Sequence, residues 1–114
     1  MDNAIQEKSF HFAVRIVKLC RYLQTEQKEF ILSKQLLRCG TSIGANVAES
    51  QQAQSKPDFI SKLNIALKES YETDYWLRLL HETQCLTHEE FCSIITDCRE
   101  LEKLLISIIK TAKE

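Results

Sequence analysis

An all-α fold, an up-down-up-down antiparallel four-helix bundle, is predicted for this chain by three observations. Apolar residues recur at alternating spacings of three and four over long stretches. Only two glycines and one proline occur in 114 residues, too few for a fold built on many turns. Two Ser/Thr-initiated cap signatures divide the later part of the chain at short intervals. The whole span, residues 1–114, is expected to form one domain, a length at which a hydrophobic core forms without staples.

The first helix is expected over about residues 5 to 25. Phe12, Ile16, Leu19 and Leu23 form one row. Phe10, Ala13, Val17 and Cys20 form a second beside it. Two adjoining rows make an apolar face wider than a surface helix requires, so contacts to more than one neighbour are expected, including another subunit. TEQKE breaks the pattern. The second helix, over about residues 29 to 53, carries Leu32, Leu36, Cys39, Ile43 and Val47 on its core side. Gly40 and Gly44 fall inside it, each costing about 1 kcal/mol relative to alanine. Because they share a face, a continuous helix in close approach to a neighbour is preferred to a break at Cys39-Gly40-Thr41.

Ser55-Lys-Pro57-Asp58 places a cap and a first-turn proline at the start of the third helix, about residues 57 to 84. There Phe59, Leu63, Ala66, Ser70, Thr73, Leu77 and Leu80 keep a strict 4-3 alternation, the seam of a left-handed bundle. Thr87-His-Glu-Glu90 is a capping box for the last helix. Its stripe is Phe91, Ile94, Ile95, Cys98, Leu101, Leu105, Ile108 and Ala112. Helices of this size make a bundle roughly 30–40 Å long.

Hydrophobic residues at 44% and charged residues at 27% exclude a disordered chain. The net charge is −1, but residues 1–56 carry +3 and residues 57–114 carry −4, so an anionic partner is to be sought on the first half. The five cysteines, Cys20, Cys39, Cys85, Cys92 and Cys98, are odd in number and include no C-x-x-C pair. They read as small hydrophobes in a reducing compartment. MDNAIQEKSF lacks the apolar run of a signal peptide, and Lys103 and Lys110 interrupt the last apolar stretch. A cytoplasmic location is therefore expected.

The most informative pattern is polar. Gln35, Arg38, Ser42, Asn46 and Glu49 share one face of the second helix. Ile65, Glu69, Glu72 and Trp76 share one face of the third. Carboxylates among apolar residues need partners, because unpaired buried charge is costly. Arg38, Ser42, Asn46, Glu49, Glu69 and Glu72 are accordingly expected to form a buried or interfacial polar network fixing helix register, with Arg38 pairing to Glu69 or Glu72 within the bundle or across a subunit interface. A di-iron bundle would need Glu-x-x-His, which does not occur, so Glu49, Glu69 and Glu72 are not expected to ligate metal. His81, Cys85, His88 and Cys92 have zinc-like residue types, but the turn at Leu86-Thr87 breaks their common face. No phosphate loop or catalytic triad order is present, and no catalytic residue, metal or cofactor is expected. Lys8, His11, Arg15 and Lys18 form a basic row on the first helix. Such a row is either the solvated side of the helix or a candidate nucleic-acid contact, which an oligomer would repeat and strengthen.

The stretch ending QLLRCGTSIGANVAES, with Arg38, Ser42, Ile43, Asn46 and Glu49, resembles the bacterial four-helix-bundle proteins encoded in intervening sequences of 23S rRNA genes. LNIALKESYETDYWLRLL, with Glu69, Ser70 and Glu72, resembles the third helix of the same family. Ser50 stands where that family usually has glycine. The resemblance implies a homopentamer and no enzymatic activity. It also implies kinship with accessory variability proteins of diversity-generating retroelements, basic pentamers that bind nucleic acid and a reverse transcriptase. Two functions are thus expected as alternatives: an oligomeric adaptor associated with RNA or DNA, or an assembly module that contacts only protein.

Overall fold

The computed structural model describes residues 4–114; residues 1–3, the start of MDNAIQEKSF, lie outside the described residues. Four helices account for nearly all of it: α1 (Ala4–Thr25), α2 (Leu32–Ser50), α3 (Lys56–Glu82) and α4 (His88–Lys113). Each packs against its neighbour in sequence, and α1 closes the bundle against α4 along the most open of the four seams. The long axis is 44 Å, beyond the expected 30–40 Å, because α3 runs 27 residues at about 1.5 Å each.

The 4-3 rows fill the core. Phe12, Ile16, Leu23, Leu36, Ile43, Leu63, Leu77, Leu80, Leu101 and Leu105 are all essentially sealed from solvent. In α4 the stripe turns slightly, so that Ile109 is buried while Ile108 and Ala112 are half-buried. The second row of α1 divides. Cys20 is buried, Ala13 and Val17 are half-buried, and Phe10 is 68% exposed.

The helix ends follow from local chemistry. α2 starts at Leu32, three residues later than expected, because the Glu29 carboxylate accepts from the backbone N–H groups of Ile31, Leu32 and Ser33. It thereby satisfies donors that have no partner within the helix. α2 stops at Ser50, three residues before the expected end at 53, where the Gln51, Gln52 and Ala53 N–H groups bond three residues back, to the Ala48, Glu49 and Ser50 carbonyls. The Ser55 hydroxyl accepts from Asp58 N–H and opens α3. The α4 capping box is complete: Thr87 Oγ1 accepts from Glu90 N–H, and the Glu90 carboxylate accepts from Thr87 N–H. α3 ends at Glu82, two residues early, where Gln84 takes a φ of 67° and Cys85 N–H bonds back to the Leu80 carbonyl.

α2 is continuous through both glycines. A β-carbon on Gly40 would lie 2.8 Å from Ile16 Cγ2, and one on Gly44 would lie 3.2 Å from the Ser9 carbonyl oxygen. At Gly40 the Ile16 side chain fills the space a β-carbon would need, and at Gly44 the α1 backbone itself comes tightly close. Buried Ser9 is the small residue that the approach requires on the α1 side.

Candidate functional site

The polar rows of α2 and α3 meet at the surface seam between these helices. Arg38 reaches Glu69 at 3.3 Å and also pairs with Glu72. Glu72 accepts in turn from Trp76 Nε1 at 3.0 Å. Along α2 the Ser42 hydroxyl donates to the Arg38 carbonyl and Asn46 Nδ2 donates to the Ser42 carbonyl. Glu49 pairs with Lys62 of α3. The pairing lies within one subunit, but the network is not buried there. The Arg38 side chain is 51% exposed, Glu49 is exposed, and Ser42, Asn46, Glu69 and Glu72 are half-buried. The row lies beside the Leu36/Cys39/Ile43 core stripe, where long side chains reach across the rim and leave their heads wet.

The basic row of α1 faces α4. Lys8 pairs with Glu100 at 3.0 Å and Arg15 with Asp97 at 2.6 Å, and Arg15 also donates to the Ser93 hydroxyl. His11 and Lys18 make neither contact and lie exposed. The acidic second half of the chain therefore neutralises part of the basic first half across the α1–α4 seam.

A second polar cluster, which the polar rows of α2 and α3 do not include, lies between α3 and α4. Asp74 is buried and takes Arg78 at 2.9 Å and Arg99 at 3.1 Å. Burial acts to raise its carboxyl, but bonds from Arg99, Glu102 and Arg78 outweigh this and hold it below the usual range. The neighbouring Glu102 is pushed up to about 7, first by burial and then by sharing a proton with Asp74 and facing its charge. Cys98 donates to the Ser70 carbonyl, and burial raises its thiol well above the ordinary value. Asp74, Cys98 and Glu102 are the trio of donor groups close enough to surround one ion among the described residues. The two arginines already supply the counter-charge there. A visible signal existed: Asp74 and Arg78 stand four apart, directly beside the Thr73–Leu77 seam.

The His81, Cys85, His88 and Cys92 set is not assembled as a ligand group. His81 stacks on Phe91 with centroids 4.2 Å apart, His88 and Cys92 touch each other at 3.3 Å, and Cys85 turns to the Thr83 hydroxyl. Burial lifts the Cys20 thiol to about 12 and the Cys39 thiol to about 11, so both behave as core hydrophobes.

Between α1 and α2 the glycine contact leaves a groove of about 410 Å³ lined by Gln6, Phe10, Ala13, Thr41, Gly44, Ala45, Val47 and Ala48. No charged side chain lines it, and Phe10 forms its exposed rim.

Residues 1–107 match the model of the 23S rRNA-intervening sequence protein family. The chain belongs to this family. A similar solved structure is that of a protein of unknown function from the S23 ribosomal protein family of Bacteroides thetaiotaomicron. It is 61% identical, superposes with a TM-score of 0.92, and the alignment covers 93% of this chain and 98% of that one. No curated protein matches the chain. The family match spans the Arg38–Asn46 and Glu69–Glu72 segments. Among the described residues no helix is long and apolar enough to cross a membrane.

Proposed function

We propose that this member of the 23S rRNA-intervening sequence family is a non-catalytic assembly module that works by associating with copies of itself. The observation that carries this is the uncharged groove between α1 and α2, rimmed by Phe10 at 68% exposure. An exposed apolar rim beside an uncharged groove is a surface that a partner can cover. Its small lining residues, Ala13, Gly44, Ala45 and Ala48, admit an apolar side chain or a helix backbone at short range. A second copy fits because each copy carries both the groove and the projecting Phe10. The resemblance implies five subunits, and a cytoplasmic setting that keeps five free thiols reduced belongs to the same proposal.

Association with nucleic acid through Lys8, His11, Arg15 and Lys18 is the second reading. It is weakened because Lys8 and Arg15 are committed to Glu100 and Asp97. A reverse transcriptase partner rests on the family resemblance alone.

Light scattering at micromolar concentration tests the assembly. Wild type is expected to be an oligomer, and Phe10→Asp is expected to be a folded monomer. A monodisperse wild-type monomer would overturn the proposal.

A further inference from the structure

The outer face shared by α3 and α4 carries a different chemistry from the groove. On α3, Lys68, Tyr71, Tyr75 and Arg78 recur at spacings of 3, 4 and 3. On α4, Arg99, Lys103, Ile106 and Lys110 recur at 4, 3 and 4. The two rows are brought together at Asp74, which both Arg78 and Arg99 grip. The helices are antiparallel, so one turn from Asp74 toward the start of α3 and one turn from Arg99 toward the end of α4 lead the same way. Tyr71 and Lys103 lie there, with Lys68, Ile106 and Lys110 beyond.

All eight side chains are exposed, and Tyr71 and Tyr75 are open at 49% and 50%. Lys68, Lys103 and Lys110 have no ion pair among the described residues, in contrast to Lys8 and Arg15. Two carboxyls lie between the rows, and the α3 row ends one turn beyond Arg78 on exposed Glu82. Asp74 is buried beneath two arginines, and Glu102 is held up to about 7, so its charge is reduced near neutrality. Away from its Glu82 end the exterior is therefore cationic although the second half of the chain is acidic in total. Four of its other acids are paired away from this face, Asp97 and Glu100 to α1 and Glu69 and Glu72 to α2.

Surface tyrosines at one-turn spacing, set among unpaired lysines, match a particular ligand. Phosphates take the cations, and unpaired bases stack on rings. Arg78 already lies over the Tyr75 ring at 5.8 Å, which continues the stacking surface with a guanidinium plane. A duplex hides its base faces, so exposed rings favour a single strand. A second copy of the same face is disfavoured because like charges would meet.

We propose that the α3–α4 face binds single-stranded nucleic acid, with phosphates on Lys68, Lys103 and Lys110 and bases stacked on Tyr71 and Tyr75. This site is separate from the groove used for self-assembly and does not depend on it.

The test is an anisotropy titration of labelled oligouridine of about 16 nucleotides, within the range of single-strand site sizes. Salt is varied upward from about 50 mM, where phosphate contacts are strong. Wild type is expected to bind it more tightly than a duplex of equal length. Tyr71→Ala/Tyr75→Ala is expected to weaken binding about tenfold or more, and Tyr71→Phe/Tyr75→Phe to retain it, since phenylalanine keeps the stacking face. Lys103→Glu/Lys110→Glu should flatten the salt dependence by about 0.7 in slope per lost phosphate contact. Arg15→Glu/Lys18→Glu on α1 should bind as wild type. Light scattering of each variant reports assembly separately. The proposal is overturned if wild type does not bind, if the alanine pair binds as well as wild type, or if the α1 variant is the one that loses binding. It is also overturned if the tyrosine variants change the oligomer, which would make this face an interface between copies.

Discussion

Gly40 of α2 lies directly against Ile16 of α1, and a β-carbon there would fall 2.8 Å from Ile16 Cγ2 and 2.9 Å from Cγ1. Ile16 is fully buried and β-branched, so its γ-carbons cannot swing aside without moving the core. Helix propensity alone favours Gly40→Ala by about 1 kcal/mol, but overpacking costs typically about 1–3 kcal/mol. Gly40→Ala is therefore expected to lower the unfolding free energy in urea, and Ile16→Val, which removes a terminal methyl, should leave that loss largely in place. A variant more stable than wild type would show that the two helices can separate locally at no cost.

The glycine contact was legible in the sequence because Gly40 and Gly44 share a face within an apolar row. The core seams were legible for the same reason: Leu63, Ala66, Ser70, Thr73, Leu77 and Leu80 repeat without a fault, and all are buried. Less legible were effects that depend on where a long side chain ends. Arg38, Glu69 and Glu72 have the periodicity of a packed face, yet the seam they occupy is open to solvent. Lys8 and Arg15 read as a free basic row until α4 brings Glu100 and Asp97 within reach. The start of α2 depends on a cap supplied by Glu29, a residue type that sequence patterns do not assign to that task.

Arg38→Ala follows from that open seam. Truncating one partner of a buried pair costs about 3–5 kcal/mol, whereas an exposed pair contributes about 1 kcal/mol or less. With Arg38 half exposed and Glu69 the more covered carboxylate, a loss near 1 kcal/mol is expected in the denaturation midpoint of the monomeric Phe10→Asp background. A loss of 3 kcal/mol or more, on the scale of a buried pair, would mean that the two carboxylates are far less hydrated than the seam indicates.

Gln84 holds a φ of 67° at the end of α3, in the left-handed region where a β-carbon costs roughly 1–2 kcal/mol. Its side chain is exposed and caps nothing. Gln84→Gly removes that strain, at an entropic cost in the unfolded chain of about 0.4–1 kcal/mol. The expected net is a gain of roughly 0.5 kcal/mol, read as a small rise in Tm. A fall in Tm would show that the Gln84 side chain stabilises the α3–α4 turn by a contact in solution.

The Asp74–Glu102 pair sets the pH response. Glu102 stands at about 7 in the folded chain against 4.5 for a free glutamate, raised by burial and by the shared proton with Asp74. Between these values the folded chain retains a proton that the unfolded chain releases, so stability must fall as pH rises through that window. The contribution of Glu102 is fully present below its unfolded value and lost as pH passes its folded one. Asp74 has the opposite sign. Its carboxyl is held low, so its contribution exists above 3.8 and disappears as the medium turns strongly acidic. The groups facing this pair are Arg78 of α3 and Arg99 and Cys98 of α4, with Cys39 of α2 behind Cys98. Arg99 is raised further above the window by Asp74, and burial holds the two thiols protonated well above it. Urea midpoints measured across the window should therefore decline with pH in wild type. Glu102→Gln keeps a donor for Asp74 and carries no titratable proton, so its midpoint should be nearly flat over the same range. If wild type and Glu102→Gln show the same slope, Glu102 ionises at an ordinary value and the shared proton between Asp74 and Glu102 does not form.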